Sequence, residues 1–102
     1  MTTFSKRLKE ARKSAGLSQE RLGINAGIDP ASASARLNQY EKGVHQPGES
    51  TVQQIAAVLN LPPAYFYCED DEVAHLLQCF HCLKKDDRKQ VLDLAERLAF
   101  NH

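Results

Sequence analysis

Residues 18–40 read SQERLGINAGIDPASASARLNQY, from Ser18 to Tyr40, and this stretch decides the fold. Ser18 is a good helix N-cap, because its side-chain oxygen can accept a free backbone N–H of the first turn. Glu20 puts an acid where the helix dipole favours one. Leu22 and Ala26 lie four residues apart, on one side of a short helix that Gly27 ends. Asp29-Pro30 is a second start signal, with Asp as N-cap and Pro at the first helical position. Ala33, Leu37 and Tyr40 then form an inward stripe, and Gly43 stops this helix. The pattern predicts two short helices joined by a tight turn at Gly27-Ile28.

Working outward, the same helical spacing continues on both sides. Phe4, Leu8, Ala11 and Ala15 make one stripe of a preceding helix, closed by Gly16. After the loop Val44–Gly48, a fourth helix is expected from Glu49 to Leu59, with Val52, Ile55, Ala56 and Leu59 inward. Asn60-Leu61-Pro62-Pro63 breaks the chain, and a short turn at Ala64–Tyr67 brings three aromatic rings toward the core. The acidic run Glu69–Glu72 is the expected hinge. Beyond it, Val73, Leu76, Leu77, Phe80 and Leu83 mark a helix from Val73 to about Lys84. Val91, Leu94, Ala95 and Leu98 mark a last one over Asp87–Phe100. The chain reads as all-α: a five-helix domain over residues 1–68, then two C-terminal helices over 69–102.

Composition narrows the function. The net charge is zero, but residues 1–45 carry eight Lys and Arg against four Asp and Glu, a surplus of four positive charges. The remainder carries the opposite surplus. A basic first half can face a polyanion while the acidic half points away. No apolar run approaches the ~18–20 residues of a membrane helix, and the charged start carries no signal-peptide pattern. A cytoplasmic protein is expected. Its three cysteines, Cys68, Cys79 and Cys82, are an odd number that suits reduced thiols.

The order Leu17-Ser18-Gln19-Glu20, Leu22, Gly27-Ile28, Tyr40-Glu41, Gly43, Pro47, Val52, Ile55-Ala56 and Leu59 resembles the Cro/phage-repressor (XRE-like) family of helix-turn-helix transcriptional regulators. The resemblance covers roughly Phe4 to Phe66. It implies a regulator without a cofactor that binds duplex DNA with its third helix in the major groove. It also implies a homodimer on an inverted repeat, with half-sites ~34 Å apart. Gln19 looks like the family's phosphate clamp at a helix N-terminus. Arg12 and Glu41 match positions that pair between the first helix and the end of the third. One departure stands out. Eleven residues separate Ile28 from Tyr40, about one helical turn more than the family pattern. The small residues Pro30–Ala35 either extend the third helix or widen the turn.

With Ala33, Leu37 and Tyr40 inward, a helical step of about 100° turns Ala31, Ala35, Asn38, Gln39 and Lys42 outward, with Ser34 and Arg36 on the flanks. Asn and Gln can bond adenine bidentately, Ala can touch a thymine methyl, and Arg or Lys can take guanine or phosphate. Gln39 and Asn38 are therefore the best base readers, with Ser34 and Ala35 beside them and Arg36 and Lys42 as phosphate contacts.

His75, Cys79 and Cys82 fall at i, i+4 and i+7, and Cys68 is near in sequence. These are zinc-ligand types, but one helix cannot wrap a tetrahedral ion, and the paired Cys-x-x-Cys knuckles are missing. They read better as partly buried cysteines of a helix interface, with no metal. The last two helices are the natural dimerisation element, the alternative being that they fold back onto the monomer's core. A protein-interaction module, such as the antitoxin partner of a toxin, is the second functional class. No nucleophilic triad, phosphate loop or paired carboxylates point to an enzyme.

Overall fold

The computed structural model describes residues 2–101, so Met1 and His102, the outer ends of the two expected segments, lie outside the described residues. In chain order these residues form α1 (Thr3–Ser14), α2 (Gln19–Asn25), α3 (Ala33–Lys42), α4 (Glu49–Leu59), a 3₁₀ turn (Pro63–Tyr67), α5 (Asp71–Cys82) and α6 (Lys85–Phe100), with no strand among them. α1 starts on a reciprocal cap. The Ser5 backbone N–H donates to Thr2 Oγ1 at 3.0 Å, and the Thr2 N–H donates to Ser5 Oγ at 2.9 Å.

α1 to α4 and the 3₁₀ turn enclose one core. Leu8, Leu22, Leu37, Ile55 and Phe66 are fully buried, each worth about 1.5–3 kcal/mol relative to exposure. Phe4 stacks obliquely on Phe66 with ring centres 5.5 Å apart, and Tyr65 meets Phe66 edge-on at 5.3 Å. Tyr67, the third ring of the turn, stays more than half exposed. Ala15 leaves the expected α1 stripe, because it caps the helix in the open.

A buried arginine seals the far side of the core. Arg7 Nε donates to Cys68 O at 2.8 Å, and Nη2 donates to Glu69 O at 3.0 Å and pairs with Asp71 at 2.9 Å. Burial opposes its charge, but the bond and charge of Asp71, with Tyr65 and Glu10, hold its pKa above the ordinary value. The buried guanidinium is itself satisfied by these two carbonyls and by Asp71.

Three expected boundaries move. The acidic hinge ends at Asp70, whose carboxylate caps α5 by accepting the N–H of Glu72 and Val73, so Asp71 and Glu72 are helical. α5 ends at Cys82 rather than Lys84, and α6 begins at Lys85 rather than Asp87. The C-terminal helices also do not close over the core. α5 is buried there at Ala74 alone, Val73 and Leu76 face outward, and α6 has no buried residue. The radius of gyration is 15.5 Å, against about 13 Å for a compact chain of this length.

Candidate nucleic-acid interface

α2 and α3 pack at close range because α2 has a glycine where they cross. A Cβ built on Gly23 would lie 2.8 Å from Ala33 Cβ and 3.0 Å from Leu37 Cδ2. Ser18 holds the start of α2, its Oγ accepting the Arg21 N–H at 2.9 Å. The connection between the helices settles the alternatives left by the extra residues. Asp29 Oδ1 accepts the Ala31 N–H, and the Ser32 N–H bonds Asp29 O, both at 2.9 Å. The surplus is therefore a wider turn. α3 begins at Ala33, not just after Asp29, and Ala31 belongs to the turn.

α3 is fastened at its far end by a polar chain. Arg12 grips Glu41 with two bonds, Nε to Oε2 at 2.6 Å and Nη2 to Oε1 at 3.1 Å, while its Nη1 donates to Leu17 O at 2.8 Å. Glu41 is 4% exposed, so an unpartnered carboxylate here would be costly. Gln19, at the first position of α2, donates its Nε2 to Glu41 Oε1 at 3.1 Å and to Asn38 Oδ1 at 3.3 Å. One chain of four side chains thus spans α1, α2 and α3.

The residues singled out from sequence divide accordingly. Ser34, Ala35, Arg36, Gln39 and Lys42 are exposed along α3, whereas Gln19 and Asn38 are half-buried where α2 meets α3. Asn38 has its carbonyl oxygen engaged by Gln19, which leaves its amide hydrogens to donate. Gln39 carries both a free donor and a free acceptor on the open face, the pair needed to bond one base edge.

Two further residues join this face. Gly43 takes the left-handed conformation, φ 74°, which a side chain would resist, and turns the chain back beside α3. The Val44 N–H then bonds Gln39 O at 3.0 Å. His45 and Gln46 follow, and with Arg36, Gln39 and Tyr40 they line an open depression of about 350 Å³. The residues after Gly43 read only as a loop in sequence. The available signal was the glycine itself, since a left-handed stop sends the next residues back along the helix they leave.

The zinc-type residues are not gathered. His75 Nε2 lies 3.9 Å from Cys79 Sγ, Cys82 Sγ accepts from Asn60, and Cys68 Sγ donates to Asp70 O. Among the described residues no three His, Cys, Asp or Glu side chains form a group able to hold a metal. Cys68 is partly buried as expected, but Cys79 and Cys82 are exposed, Cys79 because it lies on the side of α5 away from the core-facing Ala74 and Cys82 because it ends the helix. No helix of the described residues is long and apolar enough to cross a membrane.

Known proteins carry the same arrangement. Residues 8–66 match the family model described as helix-turn-helix. Over 61 residues, 60% of the chain, it is 36% identical to proteins described as uncharacterized HTH-type transcriptional regulators in Sinorhizobium medicae and Rhizobium meliloti, and it spans 41% of their length. The crystal structure of the transcriptional regulator BswR superposes with a TM-score of 0.85 at 43% identity, covering 95% of this chain and 94% of that one.

Proposed function

The chain belongs to the helix-turn-helix family of the XRE/Cro–C1 type, and from that premise we propose that it is a sequence-specific duplex-DNA-binding transcriptional regulator. It acts as a homodimer on an inverted repeat, with α3 in the major groove, and represses by occupying its site. One observation carries this reading. Gln39, Arg36 and Lys42 form an exposed polar edge on a helix whose position is fixed by the Arg12–Glu41–Gln19 chain, centred on the buried Glu41. A solvated helix face has no need of a buried ion pair behind it, whereas a base reader must be held to within a fraction of an ångström.

The roles follow from the chemistry. Gln39 bonds a base edge, adenine being the best match for its amide, and Ala35 offers a methyl to thymine. Ser34 and Asn38 donate from the groove edges. Gln19 takes a phosphate through its backbone N–H at the N-terminus of α2, together with the helix dipole, because both hydrogens of its side-chain amide are engaged by Asn38 and Glu41, and Arg36 and Lys42 neutralise the neighbouring backbone. The C-terminal residues 69–102 join the two copies and put the acidic half of the chain away from the DNA.

The test is selection of bound sequences from random duplexes with the natural chain and with Gln39→Ala. The variant should lose preference at one or two bases, at a cost of about 1–3 kcal/mol. An identical selected sequence for both proteins would remove Gln39 from the readout.

A further inference from the structure

We infer that α6 of one copy seats its apolar stripe on the outer face of α5 in a second copy, so that the two chains exchange their last helices. This rests on the homodimer reading above and specifies which surfaces meet. Val91, Leu94, Ala95 and Leu98 share one face of α6, yet no residue of that helix is buried. Leu98 is 67% exposed. The ion pair Lys89–Asp93 lies on the opposite face and marks it as the solvent side. An isolated helix of this length is marginal in water, so its order must come from packing.

The seat is also on the page. Val73, Leu76 and Cys79, flanked by Glu72 and His75, line an open and largely apolar groove of about 420 Å³ on α5. The chain's own α6 is directed away from it. Arg88 Nε donates to Phe80 O and Nη2 to His81 O, both at 3.1 Å, and its guanidinium lies 4.9 Å over the Phe80 ring. These contacts close the carbonyl end of α5 and set the elbow between the helices. Folding α6 back onto its own α5 would break all three.

Symmetry and charge both point to a second copy. Val73 and Leu76 on α5 and Leu94 and Leu98 on the α6 stripe are all exposed, and a symmetric exchange covers both sets in both copies at once. Arg97 flanks Leu94 and Leu98 on α6, and Glu72 borders the groove beside the acidic entry to α5. An antiparallel seating brings these opposite charges together.

Cys79 supplies the test. In a chain carrying Cys68→Ser and Cys82→Ser, Val91→Cys and Leu94→Cys are introduced singly, with Asp93→Cys on the far face as control. Light scattering gives the mass, circular dichroism checks the fold, and mild oxidation traps contacts. Mixing isotope-labelled and unlabelled protein separates links between copies from links within one. The expected result is a particle of about twice 11.4 kDa, with disulfides from Cys79 to the new cysteine of the other copy at position 91 or 94 and not at 93. A dimer that links equally at 93, or not at all from Cys79, overturns the exchange and leaves the dimer standing. Links within one chain also overturn it. A monomer for the natural chain at all concentrations overturns both.

Discussion

Replacing Gly23 by alanine sets two effects of known size against each other. In an ordinary helix interior the change stabilises by about 1 kcal/mol, because alanine loses less backbone freedom on folding. At this position the new methyl would lie 2.8 Å from Ala33 Cβ, 3.0 Å from Leu37 Cδ2 and 3.1 Å from Ala33 Cα. Carbon atoms settle at about 3.5–4.0 Å. Leu37 can swing its terminal methyl aside, but the Ala33 Cβ is fixed to the backbone, so α3 must move from α2 by several tenths of an ångström. Forcing a methyl into a packed site costs about 1–3 kcal/mol. The shift also stretches the Gln19 bonds to Asn38 and Glu41, already 3.3 and 3.1 Å long. The balance is a net loss of about 1–2 kcal/mol, and each kcal/mol lowers Tm by about 4–8 °C in a domain of this size. Urea unfolding of Gly23→Ala measures it. Ala57→Gly, on the exposed side of α4, calibrates the propensity term in the same protein. A variant as stable as the natural chain, or more so, would mean that α2 and α3 have slack where they cross, and the argument that glycine fixes their approach would be wrong.

The remaining expectations concern the buried pair and the basic edge. Arg12→Met leaves Glu41 buried with only Gln19 for company and is expected to cost about 3–5 kcal/mol, while adding Glu41→Leu should recover most of the loss. Urea midpoints of the two single variants and the double variant check this, and additive losses would show that the two residues act independently. Lys42→Ala should weaken binding evenly across DNA sequences and reduce the salt slope by about 1. A titration against sodium chloride reads that slope, and a loss confined to one base would reassign Lys42 to readout.

The stripes Phe4–Leu8–Ala11, Leu22–Ala26, Ala33–Leu37–Tyr40 and Val52–Ile55–Ala56 were legible because each is a helix that buries one side, and burial writes its period into the sequence. The partnership of Arg12 with Glu41 was legible only through the family resemblance. Nothing local links residues 29 positions apart. The start of α3 was misread because Asp29 has two uses for one carboxylate. It can cap a helix, or it can bond the N–H two residues on and shape a turn, which is what it does. The stripe on α5 was legible as a pattern, but periodicity says only that a face is apolar. It does not say whether the cover comes from the same chain, and here the core takes the face around Ala74. Arg7 counted only as one more base in the sequence. Its value lies in three partners at residues 68 to 71, which only the folded chain brings within reach.

Arg7 has a mechanical consequence. By gripping two carbonyls and Asp71, it welds the entry of α5 to α1, and α1 is riveted through Arg12 to α3. α3 and the start of α5 become parts of one stiff lever without a swivel. If two such levers meet at their tails, the gap between their reading heads is set by the protein alone. The dimer would then work as a calliper. One base pair inserted between half-sites moves a head by about 3.4 Å and rotates it by about a tenth of a turn, and a stiff calliper has no joint with which to follow.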